Sequence, residues 1–454
     1  MAIHFNLKSI LVLSVGLAIC QVLLGYTLII GGGMALGYGA YLWQQKKLSF
    51  ADVILLVAGV MNLWYVCGSW ENVRQHDYYN FVMFADYFVT NHFFVMPLTS
   101  YLQSVFYHPP VWGLVSGVFM KFLEFDAVRM LSFGAIMASY ILMWRLMTDL
   151  NIKEKVKLWL FFFYCFYPAT GYMSNWVNND AAVYFLMIAT IYQAFKWYDD
   201  CSLRRTLQVA GLLVLSGMTK FSGLMVVPAI GVLMLFKLLL SPKKTDKLLW
   251  VKFVIIGLGA VLGFAWGLFL LYYGFSLLPP PQDVAVQSMK SYSLQARLFD
   301  FSGFLTPIVD FKEHYQIEPN VWLTLIKTSL FGEWGWQGKI WIDILYGLSF
   351  VWLLLAISGF VYLFFKPIKK DFVLNGALIV LFFSVLIAWI NFWLDYPYFC
   401  STEFRYTAIF LPISVLWVGQ LFTNKSLPKY GEYILAGLCV LLGVARFMLY
   451  LHTI

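Results

Sequence analysis

Charged residues are scarce in this sequence. Asp, Glu, Lys and Arg together make up 12% of its 454 residues, whereas apolar residues make up 61%. A soluble globular protein carries about 25% charged residues. Because so few charges leave most of the apolar surface uncovered, the composition excludes a water-soluble fold. It predicts an integral membrane protein without a separate soluble domain.

Cysteine pairs and nucleotide-binding motifs are also lacking. The six cysteines are dispersed, and none forms a Cys-x-x-Cys pair, which argues against a disulfide framework or a zinc site. The sequence contains no tandem repeats, low-complexity tracts or Walker-type phosphate loops. Its start resembles a signal peptide but lacks a small-residue cleavage site, so we expect a retained first helix.

What the sequence does contain is a series of apolar runs, most of them near the length that crosses about 30 Å of hydrocarbon. Glycines at 31–33 favour a hairpin over the first forty residues, with one long helix as the alternative. The runs predict an all-α polytopic membrane protein with about 12–13 helices. They cover about 10–30, 31–44, 52–70, 129–147, 157–174, 179–196, 205–218, 221–240, 250–275, 345–365, 372–394, 405–422 and 431–451.

The net charge of +8 does not indicate a nucleic-acid partner, because the basic residues lie in short clusters between the apolar runs. Such clusters mark the cytoplasmic ends of membrane helices. Placing every cluster inside the cell gives a consistent topology, with the N-terminus inside and the C-terminus outside. The clusters lie at 46–47, 145–157, 196–205, 237–252, 366–370 and 425–429.

Two long segments then face outside, at 70–129 and 276–343. Both contain apolar and aromatic stretches, which predicts amphipathic helices on the membrane surface or re-entrant helices. The stretch 111–123 could instead cross the membrane, but a crossing there would reverse the topology of everything that follows. The charge pattern favours a segment that does not cross.

Polar residues in the first outer segment form two groups. Arg74, His76 and Asp77 follow a membrane helix, where a carboxylate could act as general base toward a hydroxyl; a solvated interfacial loop is the alternative. Tyr107 and His108 precede two prolines that fix the backbone. This would hold His108 rigidly where it could donate to a phosphate, although such a motif is also typical of a structural turn.

Further candidates stand at the predicted outer ends of later helices. Asn179 and Asp180 open an apolar run, where a carboxylate is also a common helix cap. Lys220 interrupts an apolar hairpin, and an ionisable group there is usually functional unless it snorkels to the interface. Arg405 begins a run at the outer leaflet, a position suited to gripping a lipid phosphate, with an interfacial anchor as the alternative.

Six short motifs follow one another in order along residues 50–420. Together they resemble bacterial family 39 glycosyltransferases of the GT-C fold, to which protein O-mannosyltransferases and the lipid A aminoarabinose transferase are related. The motifs are Arg74-Gln75-His76-Asp77, Tyr107-His108-Pro109-Pro110, Asn179-Asp180, Thr219-Lys220, Ser329-Leu330-Phe331-Gly332-Glu333 and Phe404-Arg405-Tyr406.

The resemblance implies a GT-C-type helix bundle in the bacterial cytoplasmic membrane, with an active site facing outside. Such an enzyme moves a sugar from a polyprenyl-phosphate donor to an acceptor, and a single direct displacement would invert the anomeric centre. Asp77 matches the essential acid of the family. Donor-phosphate candidates are Tyr107, His108, Lys220, Arg405 and Tyr406, and supporting candidates are Arg74, His76, Asn179, Asp180 and Glu333.

Two departures from the family pattern leave parts of the reaction open. Asp77 is followed by Tyr78, where the eukaryotic mannosyltransferases have an Asp-Glu pair, so a divalent metal is possible but no cofactor is assigned. Tyr107-His108 stands where the aminoarabinose transferase has Glu-Lys, so phosphate binding by His108 is an analogy. The acceptor, whether protein, lipid or glycan, stays open.

Other classes of function compete with this interpretation. A secondary transporter or lipid-linked-sugar flippase would place ionisable residues near mid-membrane, whereas the candidates here cluster in outer loops. A polysaccharide ligase or polymerase depends on a late outer loop rich in Arg and His, and segment 276–343 has only Arg297 and His314. The sequence therefore favours a glycosyltransferase, with the transporter or flippase as the alternative.

Overall fold

The protein is almost entirely helical in the part of the chain that its computed structural model describes. That part comprises residues 49–68, 78–92, 108–123, 128–240, 247–275, 277, 288–308, 318–332, 336–365, 371–424 and 429–453. Its α-helices are α1 Phe50–Gly68, α2 Tyr78–Thr90, α3 Pro110–Phe122, α4 Val128–Asp149, α5 Glu154–Phe166, α6 Pro168–Met173, α7 Asp180–Asp200, α8 Leu203–Thr219, α9 Val227–Leu240, α10 Lys247–Gly263, α11 Ala265–Tyr272, α12 Leu294–Phe299, α13 Val321–Phe331, α14 Lys339–Phe365, α15 Asp371–Asp395, α16 Phe410–Asn424 and α17 Lys429–Thr453. Short 3-10 helices lie at Phe221–Val226, Ser302–Leu305, Phe399–Thr402 and Phe404–Thr407.

Six helical units of the described chain are long and apolar enough to cross a membrane. They are α1, α4, the unit Phe221–Leu240, α14, α15 and α17. Two further units are bent, by 49° between α10 and α11 and by 46° before α16, and counting each as one span gives eight. A crossing needs about 20 apolar residues, and the six straight units have at least 19. The chain is therefore an all-α, multi-pass membrane protein.

Most apolar runs coincide with helices, but the described residues contain 17 α-helices where about 12–13 helices were predicted, partly because the runs at 157–174 and 250–275 each break into two helices. The runs at 52–70, 129–147 and 372–394 correspond to α1, α4 and α15. The run at 221–240 is divided into a 3-10 helix and α9, and Pro228 stands in the first turn of α9, where its missing N–H costs nothing. The hairpin expected over 10–44 lies outside the described residues.

Helices in the two outer segments are short. Helix α3, in the stretch 111–123 that was expected not to cross, has 13 residues and so spans about 20 Å, less than the hydrocarbon core. Helix α14 begins at Lys339, four residues before the expected end of the second outer segment. That these segments lie on the membrane surface stays a prediction.

Several contacts gather basic clusters at one end of the helix bundle, hereafter the basic end. Lys196 of α7 pairs with Asp149 of α4 at 2.6 Å. The backbone N–H of Lys153 donates to the hydroxyl of Thr423 in α16 at 3.1 Å. The ammonium of Lys237 in α9 donates to a carbonyl near the end of α7 at 2.7 Å. The clusters at 145–157, 196–205 and 237–252 therefore share one end, as the topology requires; which side of the membrane it faces stays a prediction.

Small residues allow α8 and α10 to pack backbone against backbone. A Cβ atom on Gly217 would lie 2.4 Å from the carbonyl oxygen of Gly263, and one on Gly259 would lie 2.7 Å from the Ala210 backbone. Close approach of this kind stabilises helix pairs in lipid, where the hydrophobic effect contributes little. The contact fixes the position of α8, which ends just before Lys220.

A helix break between α5 and α6 shapes the chain ahead of α7. Pro168 begins α6 and has no amide hydrogen, so the end of α5 loses part of its helical hydrogen bonding. Arg446 of α17 is fully buried and donates to the carbonyl of Cys165 at 3.1 Å, and its guanidinium also contacts Asn62. This cation stabilises the break. Sequence analysis overlooked it, although a single Arg inside an apolar run is itself a signal.

Candidate functional site

A charged cluster lies at the end of the bundle opposite the basic end, hereafter the site end. We define the charged cluster as Asp180, Lys220, Glu403 and Arg405, which come from three distant segments. Asp180 begins α7, Lys220 follows α8, and the other two precede α16. The 21 residues of α7 correspond to about 30 Å. The charged cluster is therefore about one membrane thickness from the basic end.

Asp180 is held by Asn178, and Asn179 ties the start of α7 to the end of α8. Nδ2 of Asn178 donates to Oδ2 of Asp180 at 2.8 Å, and the backbone N–H of Asp180 donates to Oδ1 of Asn178 at 3.0 Å. Nδ2 of Asn179 donates to the carbonyl of Thr219 at 2.9 Å, which ties the start of α7 to the end of α8. The Asp180 carboxylate thus contacts side chains and does not act as a helix cap.

Lys220 pairs directly with Asp180. Its ammonium contacts Oδ1 of the carboxylate, and its side chain is 16% exposed, compared with 3% for Asp180. Lys220 ends α8 in an extended conformation, with φ −161° and ψ 137°, which turns the chain out of the helix at this point. Lys220 therefore stands where α8 ends and has a buried carboxylate as its partner; a functional role for it stays a prediction.

Arg405 lies between two buried carboxylates. Its Nη1 is 4.0 Å from Oδ2 of Asp180, and its Nε is 3.1 Å from Oε2 of Glu403. Both side chains of the Arg405–Glu403 pair are 6% exposed. The four formal charges of the cluster cancel, which offsets the cost of several kcal/mol that each uncompensated buried ion would carry. An interfacial anchor would not need two buried partners.

Tyr406 joins the two cations. The Lys220 ammonium lies 4.9 Å from the centre of its ring, and Cζ of Arg405 lies 5.1 Å from it. Cations at this range are attracted to the face of an aromatic ring, by about 0.5–2 kcal/mol depending on exposure. The ring of Phe392 in α15 packs on the Tyr406 ring at 4.9 Å. Tyr406 therefore connects the charged cluster to α15.

Helix α13 supports the segment that carries Arg405. The hydroxyl of Thr328 accepts a hydrogen bond from the backbone N–H of Phe404 at 2.9 Å. The carbonyl of Thr328 accepts from the hydroxyl of Tyr172 in α6 at 2.5 Å, and Ser329 bonds to the hydroxyl of Tyr167 at 2.8 Å. The motif Ser329-Leu330-Phe331-Gly332 therefore lies beside the segment that carries Arg405, as a support rather than as a charged member.

His108 lies in a neighbouring aromatic group. Its ring is 5.0 Å from that of Phe81 and 6.3 Å from that of Phe84, both in α2. Trp112 in α3 donates through Nε1 to the carbonyl of Val177 at 2.8 Å. This bond places α3 beside the chain that leads into α7, so His108 belongs to the same region of the site end as Asp180.

Five of the predicted site residues lie in parts of the chain that the structure does not describe. Arg74, His76, Asp77, Tyr107 and Glu333 lie outside the described residues. Asp77 immediately precedes α2, whose aromatic side chains pack around His108. The roles proposed for these five residues stay predictions.

Sequence analysis missed several charged residues of the site end. Glu403 was not singled out, although it stands two residues before Arg405. Lys327 and Glu318 form a second buried ion pair at 2.5 Å, with exposures of 2% and 5%. Lys327 also donates to the carbonyl of Gly303 at 2.8 Å, so this pair fastens the 3-10 helix Ser302–Leu305 to α13. Glu318 and Lys327 stand nine positions apart, and their spacing matches no motif that would predict an ion pair.

The described residues offer little for a metal ion. No three His, Cys, Asp or Glu side chains are grouped there as metal ligands. The two carboxylates of the charged cluster already face Lys220 and Arg405. Divalent cations prefer several oxygen ligands, whereas each carboxylate of the charged cluster is already paired with a cationic side chain.

Comparison with known proteins leaves the family open. No family model matches the chain, and no curated protein sequence matches it.

Proposed function

We propose that the protein is a glycosyltransferase that moves a sugar from a polyprenyl-phosphate donor to an acceptor outside the cytoplasm. The observation that supports this most is the position of Asp180 between the cations of Lys220 and Arg405. These residues come from different helices of a multi-pass fold and meet at the end opposite the basic clusters. An enzyme with a lipid-linked donor needs its cations at such a helix end, because the lipid chain stays in the bilayer.

The two cations suit the leaving phosphate of the donor. Phosphate and carboxylate present similar anionic oxygens, and a guanidinium fork binds either of them in a bidentate manner. A donor phosphate could therefore share or replace the contacts that Asp180 makes with Lys220 and Arg405. Glu403 holds Arg405 from its other side during that exchange. Stabilising the charge that develops on the leaving group is the main electrostatic task in such a reaction.

The chemical step needs one base. The acceptor hydroxyl oxygen attacks the anomeric carbon of the sugar while the bond from that carbon to the phosphate oxygen breaks. The hydroxyl proton passes to a carboxylate, for which the resemblance to family 39 suggests Asp77. The electron pair of the broken bond stays on the phosphate, which leaves as polyprenyl phosphate. One displacement of this kind inverts the anomeric centre.

The proposal includes a location. Because basic clusters mark cytoplasmic ends, the basic end would face the cytoplasm of a bacterial cell and the site end would face outside. The proposed donor would present its sugar on that side. The resemblance to the GT-C fold likewise implies an active site that faces outside.

A secondary transporter or flippase is the competing function. It would move a lipid-linked sugar across the bilayer without breaking a bond, and its ionisable residues would lie near mid-membrane. The charged cluster lies at helix ends, which favours chemistry at the surface. Sugar release from the lipid separates the two functions directly.

The test uses purified protein, in lipid nanodiscs and in sealed vesicles, with a panel of polyprenyl-phosphate sugars and membrane-derived acceptors. The proposal predicts release of polyprenyl phosphate that depends on the acceptor and is lost in Arg405→Gln. The exposed Arg204→Gln at the basic end is the matched control. Movement of intact donor across vesicles without any release would support the flippase and reject the transferase.

A further inference from the structure

Several buried hydrogen-bond donors in the second outer segment and at the end of α15 have no acceptor among the described residues. Nε and Nη1 of Arg297 and Nε1 of Trp393 are buried, and none of them has an acceptor among the described residues. Cζ of Arg297 lies 5.7 Å from the centre of the Trp393 ring, so these donors belong to two side chains in contact. Leaving a buried donor unsatisfied costs about 1–3 kcal/mol. Three such donors together indicate a bound group that accepts hydrogen bonds.

The two described carboxylates that follow Arg297 most closely in the chain are engaged elsewhere. Asp300, three residues after Arg297, accepts from the backbone N–H of Ser302 at 2.9 Å. Hydrogen bonds from Ser302 lower the pKa of the Asp300 carboxyl. The carboxylate is therefore ionised, and it is bound to Ser302 in the turn that follows α12. Glu318 is paired with Lys327. In the described part of the chain, Arg297 is a cation stacked on an aromatic ring without a carboxylate partner.

A second donor and a second cation stand close by in the chain. The hydroxyl of Tyr398 is buried, and no described residue bonds to it. The ammonium of Lys290 lies 5.5 Å from the centre of the Tyr398 ring, and the N–H of Met289 donates to the carbonyl of Pro397 at 2.8 Å. The segment that leads to α12 is thus pinned to the end of α15. Its cations make this surface attractive to an anion.

This donor group is next to the charged cluster but not part of it. Tyr406, which contacts both Lys220 and Arg405, packs against the apolar group that contains Trp389 and Trp393. A ligand at Arg297 would therefore lie on the α15 side of Tyr406. Lys220 and Arg405, the two cations of the charged cluster, contact the ring of Tyr406 itself.

We propose that Arg297 and Trp393, with Tyr398 five residues after Trp393 in the chain, bind a phosphate group of a second ligand. A phosphate offers several acceptor oxygens and the negative charge that a stacked guanidinium favours. If the proposed function holds, this ligand is the acceptor, which then carries a phosphate near the hydroxyl that receives the sugar; that assignment rests on the proposed function. The phosphate site itself does not.

The test measures binding of radiolabelled inorganic phosphate to the full-length protein in phosphatidylcholine nanodiscs, with and without saturating polyprenyl phosphate. In the presence of polyprenyl phosphate we expect Arg297→Gln to weaken phosphate binding by about tenfold or more. Trp393→Phe and Tyr398→Phe remove one donor each and keep an aromatic side chain, and each should weaken binding by about threefold. Arg204→Gln should bind as the wild type does.

Arg297→Lys guards against a folding defect, because it keeps the charge and loses only the planar fork. We expect it to bind phosphate more tightly than Arg297→Gln does. Phosphate binding by Arg297→Gln equal to that of the wild type would overturn the proposal. If polyprenyl phosphate neither binds nor serves as a donor, the transferase proposal fails while the Arg297 dependence of phosphate binding persists. Competition by phosphatidic acid in the nanodisc would identify a lipid headgroup as the source, and its absence would identify a soluble phosphate ester.

Discussion

Oδ2 of Asp180 lies 4.0 Å from Nη1 of Arg405, and the other carboxylate oxygen contacts Lys220. A single acid at the start of α7 thus joins the α7–α8 hairpin to the segment before α16. The pairing should affect both the stability of the fold and the proposed binding of the donor phosphate. The first two predictions separate them.

Asp180→Asn should destabilise the protein. The substitution keeps the size of the side chain but leaves Lys220 and Arg405 with Glu403, the partner of Arg405, as the one carboxylate remaining in the charged cluster. Removing one partner of a buried ion pair costs about 3–5 kcal/mol, so we expect the free energy of unfolding to fall by about 3 kcal/mol. Unfolding in mixed micelles of rising denaturing-detergent content measures it. The exposed Asp199→Asn at the basic end should leave stability unchanged, and equal losses in both variants would contradict this account.

Arg405→Gln should act on the donor. It removes the guanidinium group that lies between Asp180 and Glu403. A hydrogen bond to a charged group contributes about 1.5–3 kcal/mol to binding. We expect kcat/KM for the polyprenyl-phosphate donor to fall by at least about tenfold, with the dependence on acceptor unchanged. Initial rates at varied donor concentration measure this. An unchanged donor dependence in a well-folded variant would remove Arg405 from the phosphate site.

Asp77→Asn should abolish most turnover. The substitution keeps size and hydrogen bonding but removes the base, and general-base assistance contributes about 10²–10⁴-fold in rate. Sugar transfer by the folded variant in defined lipid measures the loss, with the melting temperature as the control for folding. Near-normal transfer would move the base to Asp180 or Glu333 and leave Asp77 as a solvated loop residue.

Lys327→Met should release the 3-10 helix Ser302–Leu305. The variant leaves Glu318 as a buried unpaired carboxylate and removes the donor to the Gly303 carbonyl. We expect faster amide hydrogen exchange in residues 302–306, while exchange in α8 stays as it is in the wild type. A double variant, Lys327→Met with Glu318→Leu, should recover stability because no buried charge is left unpaired. Unchanged exchange at 302–306 would show that the pair does not fasten this segment.

The two ends of the bundle should label from opposite sides of the membrane. Asn151 is an exposed turn residue at the basic end, and Ser302 is exposed in the second outer segment. In a cysteine-free background, a membrane-impermeant maleimide applied to intact cells should label Ser302→Cys but not Asn151→Cys. Labelling of both after cell lysis is the control. The reverse pattern in intact cells would invert the proposed orientation.

Helix positions were largely predictable from the sequence, because a crossing demands about 20 apolar residues and leaves an unmistakable run. Asp180, Lys220 and Arg405 could be found for a related reason, since each charge stands at the edge of such a run. Their contact with one another could not be predicted, because it depends on how α7, α8 and α16 pack. Arg446 and the Glu318–Lys327 pair were missed since burial of a single charge is decided by partners far away in the chain.

The pairing of Asp180 with Lys220 has a consequence for biogenesis. The two residues face each other across consecutive helices of one hairpin, α7 and α8. As the ribosome delivers that hairpin to the insertion machinery, the acid and the base can neutralise each other before Arg405 has been synthesised. The hairpin therefore enters lipid without an unpaired charge at its open end, where α7 begins and α8 ends. Arg405 and Glu403 arrive together much later, as a pair of their own, so each half of the charged cluster is electrically neutral when it reaches the membrane.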